Sequence, residues 1–393
     1  MNIGKPIFTQ LMEFAPRYQF DKCVNRYNGH YKILRFTCWE QFLCMAFAQL
    51  TYRESLRDIE ACLRSKNKRL YHIGIRNKVS RNTLANANSK RDWRIYQDFG
   101  HILIERANNL YKDDNFAVVL KNTVYALDST SIELCVSLFP WATYSKRQGA
   151  VCVHTLLNLR GNIPSVIVIT DKTVSELKVL DQLIIEPGAI YVLDRGYIDY
   201  TRFRNIHQNQ AFFVTRAKTN LTFKKVYSNK TDASIGIKYD RIVAIRNPDS
   251  KKLYPWNFRL VKFYDSKTKK YLIFLTNNMS LPAKTIADLY RSRWQIELFF
   301  KWIKQHLRIK AFYGRSENAV KTQIWIAVST YVLVAIIKKE LKIELSLYTI
   351  LQILSVSLFE NIPIIQALSD IKIQRSYPEL ETPLLFNPET LGQ

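Results

Sequence analysis

The chain lacks an apolar run long enough for a bilayer. Its most hydrophobic segment, Ile324 to Ile337, covers fourteen residues and includes Ser329 and Thr330, whereas a membrane-spanning helix needs about 20. It is expected to be a buried core helix. Between Met1 and Phe14 no basic region precedes an apolar stretch, so no secretory signal is read there and a cytoplasmic protein is expected. The six cysteines (Cys23, Cys38, Cys44, Cys62, Cys135, Cys152) form no C-x₂-C pair and have no histidine at zinc-ligand spacing. That excludes a zinc finger and a disulfide framework. Neither a GxxxxGK loop nor a GxGxxG turn is present, which leaves nucleotide hydrolysis and dinucleotide chemistry without a motif. No internal repeat and no long low-complexity run occurs. Acidic residues are scarce: 33 Asp and Glu against 58 Lys and Arg give a net charge of +25. The excess is spread along the chain, which points to a polyanion such as DNA or RNA as partner rather than a membrane surface.

What the chain does have is material for large cores. It has 393 residues, of which 47% are hydrophobic and 13% aromatic, which suits two or three domains. Residues from about Pro6 to Lys112 read as helical. Thr37 and Glu40 make a capping box ahead of Phe42, Leu43, Ala46, Phe47 and Leu50 at helix spacing. Ser80 caps a short helix with one thin apolar stripe; its Arg81, Asn82 and Asn86 suit hydrogen bonding to phosphates and base edges. A longer amphipathic helix runs from Trp93 to Leu110, with Ser89 and Asp92 as its expected cap. Asp113-Asp114-Asn115 reads as a linker. From Thr123 the period changes to short β-branched runs: Val124 to Leu127, Ile132 to Val136, Val151 to Leu159 and Ile163 to Ile169, with a tight turn at Arg160-Gly161-Asn162. Helices near Ser175 to Leu183 and Tyr200 to Asn209 alternate with strands at Ile190 to Leu193 and Ala211 to Thr215, which describes a mixed α/β sheet. Strand-like pieces between Arg216 and Asn278 form a β-rich insertion. Helical pattern returns from Pro282 to about Leu358, and the proline-containing tail beyond Ser376 reads as a poorly ordered end.

Three carboxylates stand out. Asp128 and Asp194 each follow an apolar, strand-like run, and Glu297 lies on the helix expected over Ala287 to Lys304, opened by Pro282. On that helix Tyr290, Arg293, Glu297 and Lys304 fall within roughly a 60° arc at about 100° per residue, beside an apolar face of Leu289, Ile296, Phe300, Ile303 and Leu307. Carboxylate oxygens are what Mg²⁺ or Mn²⁺ prefers. Three of them around two ions about 3.5–4 Å apart make a centre for phosphodiester cleavage and transfer, and the flanking Arg293 and Lys304 suit phosphate. His154, in an apolar strand, reads as a core histidine. Glu133 reads as a bystander, and Cys135 and Cys152 lack the basic neighbour that a thiol nucleophile needs.

The spacing Tyr290-x₂-Arg293-x₃-Glu297-x₆-Lys304 resembles the Y-x₂-R-x₃-E-x₆-K signature of bacterial insertion-sequence DDE transposases of the insertion-sequence-four type. Leu127-Asp128-Ser129-Thr130 and Leu193-Asp194-Arg195-Gly196-Tyr197 are similar to that family's two aspartate motifs. The resemblance implies an RNase H-like core interrupted by a β insertion, with Asp128, Asp194 and Glu297 as both catalytic residues and ligands of two Mg²⁺ or Mn²⁺ ions. It implies Tyr290, Arg293 and Lys304 as DNA contacts, and cutting at terminal inverted repeats followed by strand transfer into target DNA, with a homodimer in the DNA complex. Asp194 is followed by Arg-Gly-Tyr where hairpin-forming members carry Arg-Glu-Ala-Asp. The expected layout is a helical DNA-binding domain over 1–115, the first part of the core over 116–216, the insertion over 217–280, the second part of the core with C-terminal helices over 281–375, and a tail over 376–393. A nuclease that does not transpose, or a domesticated DNA-binding protein, are the alternatives.

Overall fold

The computed structural model describes residues 4–76, 78–114, 118, 120–219, 221–305 and 312–369. Among these residues seven α-helices come first: α1 (Ile7–Glu13), α2 (Arg17–Arg26), α3 (Cys38–Leu50), α4 (Leu56–Ser65), α5 (Asn67–Leu70), α6 (Arg81–Lys90) and α7 (Arg94–Tyr111). The capping box at α3 is complete: the Thr37 side chain accepts from the Glu40 amide, and Glu40 accepts from the Thr37 amide. Ser80 caps α6 as expected, accepting from the Thr83 amide. Ser89 does not cap α7. It lies inside α6, which runs on to Lys90, and α7 starts after Trp93 with no side-chain cap.

Next come β1 (Val124–Leu134), β2 (Thr143–Ser145), β3 (Gln148–Asn158), β4 (Ile163–Asp171), α8 (Glu176–Leu180), β5 (Ile190–Leu193), α9 (Tyr200–Gln208) and β6 (Phe212–Arg216). The insertion follows as β7 (Phe223–Ser228), β8 (Ile237–Ile245), α10 (Pro248–Leu253), β9 (Phe258–Asp265) and β10 (Lys270–Thr276). The two apolar runs expected on either side of Asp128 are one strand: β1 continues through Asp128-Ser129-Thr130-Ser131 because β3 pairs with it antiparallel from Tyr125 to Leu134. Between β3 and β4 the turn places Gly161 at φ +74°, where an added Cβ would run into the Tyr111 ring. Glycine alone satisfies both demands.

Among the described residues the ten strands join in one sheet, ordered β2-β3-β1-β5-β6-β10-β9-β8-β7 with β4 also paired to β3. β1, β5 and β6 are parallel neighbours. β10 runs antiparallel to β6, from Phe274 opposite Arg216 to Thr276 opposite Val214. The insertion is therefore continuous with the central sheet by backbone hydrogen bonding. Side chains alternate across a strand, so Val124, Ala126 and Ile132 of β1 enter one core while Leu127 enters another. The first core is shared with the N-terminal helices and the C-terminal ones; the second lies under α8, α9 and the α10–β9 corner.

The C-terminal helices are α11 (Ala283–Ser292), α12 (Trp294–Gln305), α13 (Glu317–Glu340), α14 (Leu347–Ser357) and α15 (Ile364–Ser369). The single helix expected up to Lys304 is in fact two, broken at Arg293. Ser292 Oγ donates to the Leu289 carbonyl at 2.6 Å, a local bond that competes with the helical ladder and bends it. Of the expected apolar face, Leu289, Ile296, Phe300 and Ile303 are buried, with Phe299 and Trp302 edge-on to Tyr331 of α13. Every residue from Ile324 to Ile337 is buried, so this segment is a core helix. α13 packs against α1, α3, α6 and α7 as well as α12. Asn115, Leu307 and the 376–393 tail lie outside the described residues.

Candidate active site

Strand pairing brings the first two carboxylates together. Leu127 of β1 is the parallel partner of Leu193 of β5, so Asp128 and Asp194 each stand one residue further along adjoining strands. Alternation turns both away from the Leu127 and Leu193 core and toward α11 and α12. There Tyr290 Oη donates to Asp194 Oδ1 at 3.3 Å. Arg293, at the break between the two helices, donates from Nη1 to Asp128 Oδ2 at 2.9 Å and from Nη2 to Glu297 Oε1 at 2.5 Å. One guanidinium thus joins a carboxylate from the sheet to one from the helix. The remaining oxygen of Asp128, Oδ1, accepts from the Ser129 amide at 2.8 Å. At the other end of α12, Lys304 Nζ donates to the Ser131 carbonyl, on the strand of Asp128, at 2.8 Å. Tyr290, Arg293 and Lys304 therefore reach Asp194, Asp128 and Ser131, and Glu297 joins them through Arg293.

Burial sets the electrostatics. It raises the Asp128 carboxyl to about 6, against the pull of the Ser129 amide and Arg293 in the other direction, with Asp194 and Glu176 adding to the rise. For Arg293, burial works against the charge, but Glu297, Tyr290 and Asp128 outweigh it and hold the guanidinium more firmly protonated. Burial also raises the Tyr290 hydroxyl, which stays protonated and able to donate.

The donor set suits a hard divalent ion, since all three groups offer carboxylate oxygens. Their present arrangement does not. Among the described residues no three Asp, Glu, His or Cys side chains are grouped to share an ion, and Arg293 occupies the space between Asp128 and Glu297. Behind β1, on the opposite face, lie groups the sequence did not single out. Ser129 Oγ is hydrogen-bonded to Glu176 of α8, and the Tyr197 hydroxyl is buried without a hydrogen-bond partner among the described residues. Ser129 and Tyr197 had a signal, their places in the Asp128 and Asp194 motifs; Glu176 had none. His154, the partner of Ser129 across the strands, is buried, with Nε2 at 2.9 Å from Thr170 Oγ1; it is a core histidine. Glu133 is exposed on β1. Arg81, Asn82 and Asn86 form the exposed side of α6, whose Leu84 and Ala87 are buried.

The family described as Transposase DDE domain matches residues 120–333. The chain belongs to the DDE transposases. A second family, described as a domain of unknown function (DUF4372), matches residues 3–76 of the transposase. Among curated proteins it is 32% identical over 283 residues to a Sinorhizobium fredii protein that carries the transposase name y4zB, covering 71% of this chain and 77% of that one. It is 26% identical over 282 residues to a Synechocystis protein named as a transposase for insertion sequence element IS4SA, covering 71% and 77%. A piggyBac transposase synaptic complex solved with hairpin DNA aligns with 95% of this chain and 84% of that one at 10% identity and a TM-score of 0.43, too distant to transfer any residue. The transposase is thus the enzyme of an insertion sequence. It acts on DNA, and its domain family implies dependence on a divalent metal.

Proposed function

We propose that the transposase cuts DNA at the terminal inverted repeats of its insertion sequence and joins the freed ends to target DNA, with Asp128, Asp194 and Glu297 as the ligands of two Mg²⁺ or Mn²⁺ ions. The observation that carries this reading is the convergence of the three carboxylates on one pair of side chains a turn apart, Tyr290 on Asp194 and Arg293 on Asp128 and Glu297. When bound, such ions lower the pKa of an attacking water or 3′-hydroxyl and stabilise the leaving oxygen. The chain's own part is positioning. Tyr290 orients Asp194, Arg293 and Lys304 offer cations to phosphates beside the cleaved bond, and α12 sets Glu297 opposite Asp128.

The Y-x₂-R-x₃-E-x₆-K reading of α11 and α12 is part of the proposal, supported by Tyr290, Arg293 and Lys304 bonding to Asp194, Asp128 and Ser131 and by Glu297 bonding to Arg293. So is an RNase H-like core, supported by three antiparallel strands (β4, β3, β1) continuing into two parallel ones (β5, β6). The segment over 1–115 is proposed as the end-binding domain, with Arg81, Asn82 and Asn86 nearest the bases. A cytoplasmic homodimer is the proposed assembly. The test incubates the full-length protein with Mg²⁺, a linear fragment carrying the reading frame and its flanking DNA, and a plasmid target. Cuts at both ends and joined products are expected from the wild type, and neither from Asp128→Asn. Cuts scattered without regard to the ends would leave a nuclease.

A further inference from the structure

We infer that Arg293 is a substrate-released latch on the metal site: in the DNA-free protein its guanidinium stands in for the metal between Asp128 and Glu297, and a phosphate of bound DNA draws it away. This rests on the reading of Asp128, Asp194 and Glu297 as metal ligands.

Four observations lead there. The two guanidinium contacts, at 2.9 and 2.5 Å, go to oxygens of two different proposed ligands. Both oxygens of Asp128 are already engaged, Oδ2 by Arg293 and Oδ1 by the Ser129 amide. A Mg²⁺ ion binds carboxylate oxygen at about 2.0–2.1 Å, so an ion shared by Asp128 and Glu297 would compete with the guanidinium charge now between them, and the Arg293 side chain, unlike the Ser129 amide, is able to move. The guanidinium is held less than fully: its Nε is buried without a hydrogen-bond partner among the described residues, although a guanidinium offers five donors. Finally, Arg293 sits at the break between α11 and α12 rather than inside a helix.

A guanidinium and a divalent ion compete for the same carboxylates because both are cations seeking the same lone pairs. A phosphate alters the competition. It accepts both Nη donors in a bidentate pair that a carboxylate cannot better, and it brings its own negative charge. Once Arg293 turns to phosphate, Asp128 Oδ2 and Glu297 Oε1 are freed of the competing cation. DNA and metal then favour each other's binding, and linkage makes the effect equal in both directions. The DNA-free enzyme is left poorly able to arm its metal site.

The experiment measures Mn²⁺ binding to the full-length protein by electron paramagnetic resonance of the free ion, with and without a duplex taken from the DNA flanking the reading frame. For the wild type, DNA is expected to tighten Mn²⁺ binding by about tenfold, within the usual range of coupling between sites. Arg293→Gln is expected to bind Mn²⁺ tightly without DNA and to lose that gain. Equal wild-type affinity with and without DNA overturns the latch, and so does an Arg293→Gln protein whose DNA-free affinity is unchanged or weaker while Glu297→Gln abolishes binding. The triad reading survives both results. It fails, and the latch with it, when Asp128→Asn and Glu297→Gln bind Mn²⁺ as the wild type does. The wild-type comparison decides the matter even where Arg293→Gln does not fold.

Discussion

Two arginines in this transposase are paired with carboxylates away from bulk water, and they are built differently. Arg259, in the insertion, meets Asp240 fork to fork, Nε to Oδ1 at 2.8 Å and Nη2 to Oδ2 at 2.7 Å. Its Nη1 reaches the Leu281 and Asn278 carbonyls, and both side chains of the pair are only 5% exposed. Arg293 spends one donor on each of two carboxylates, leaves Nε without a partner, and is 16% exposed against 34% for Glu297. A saturated fork fixes a structure, because any motion leaves buried charge unpaired. An unsaturated one, open on one side, can exchange partners.

The largest expected effect tests the functional side of that contrast. Asp194→Asn and Glu297→Gln should abolish Mg²⁺-dependent cleavage of end DNA while the urea midpoint stays near wild type. A fall in stability matching the fall in activity would make the triad as structural as the insertion pair. Next in size, Arg259→Leu should cost about 3–5 kcal/mol in urea unfolding, because Asp240 is left charged and buried. The double variant Arg259→Leu with Asp240→Leu should recover most of that loss, and a double variant no better than the single would show that the fork matters for more than charge.

The third prediction concerns pH. In the fold the Asp128 carboxyl titrates at about 6 instead of 3.8, so the folded state holds that proton more tightly than the unfolded chain. The stabilising contribution is complete below the lower value and is lost as pH rises through the higher one, by at most about 3 kcal/mol. Urea unfolding of metal-free protein between about pH 4 and 7 should show this loss in the wild type and not in Asp128→Asn. Parallel curves would mean that Arg293 and the Ser129 amide offset the burial of Asp128 in full. Smallest, Tyr290→Phe should weaken the hold on Asp194 by about 0.5–1.5 kcal/mol, the worth of one neutral hydrogen bond. It should appear as a modest fall in Mn²⁺ affinity with the fold intact, and unchanged affinity would remove Tyr290 from the site.

Much of this was legible in local pattern. The Thr37 capping box, the Ser80 cap, the strand before Asp194 and the buried face of α12 are each written in residues adjacent along the chain or one helical turn apart. Three features were not. Asp128-Ser129-Thr130-Ser131 looks like a loop between two strands because four polar residues interrupt the apolar run; pairing with β3, which has no trace in local sequence, keeps it extended. The break at Arg293 has no glycine or proline to announce it and depends on which carbonyl the Ser292 hydroxyl chooses. The same holds for Arg293 itself. Its charge and its place on the Glu297 arc were plain, but its bond to Asp128 spans 165 positions, and only the folded sheet supplies it.

The burial of α13 bears on how the protein is made. Helices α1, α3, α6 and α7 complete their packing on it, yet about 200 residues separate the end of α7 from its start. At about 5–20 residues per second on the ribosome, the N-terminal helices wait roughly 10–40 seconds for the surface they pack against. During that interval the sheet strands emerge one after another, and the Gly100 and His101 side of α7, which ends against Trp325 of α13, stands without that partner.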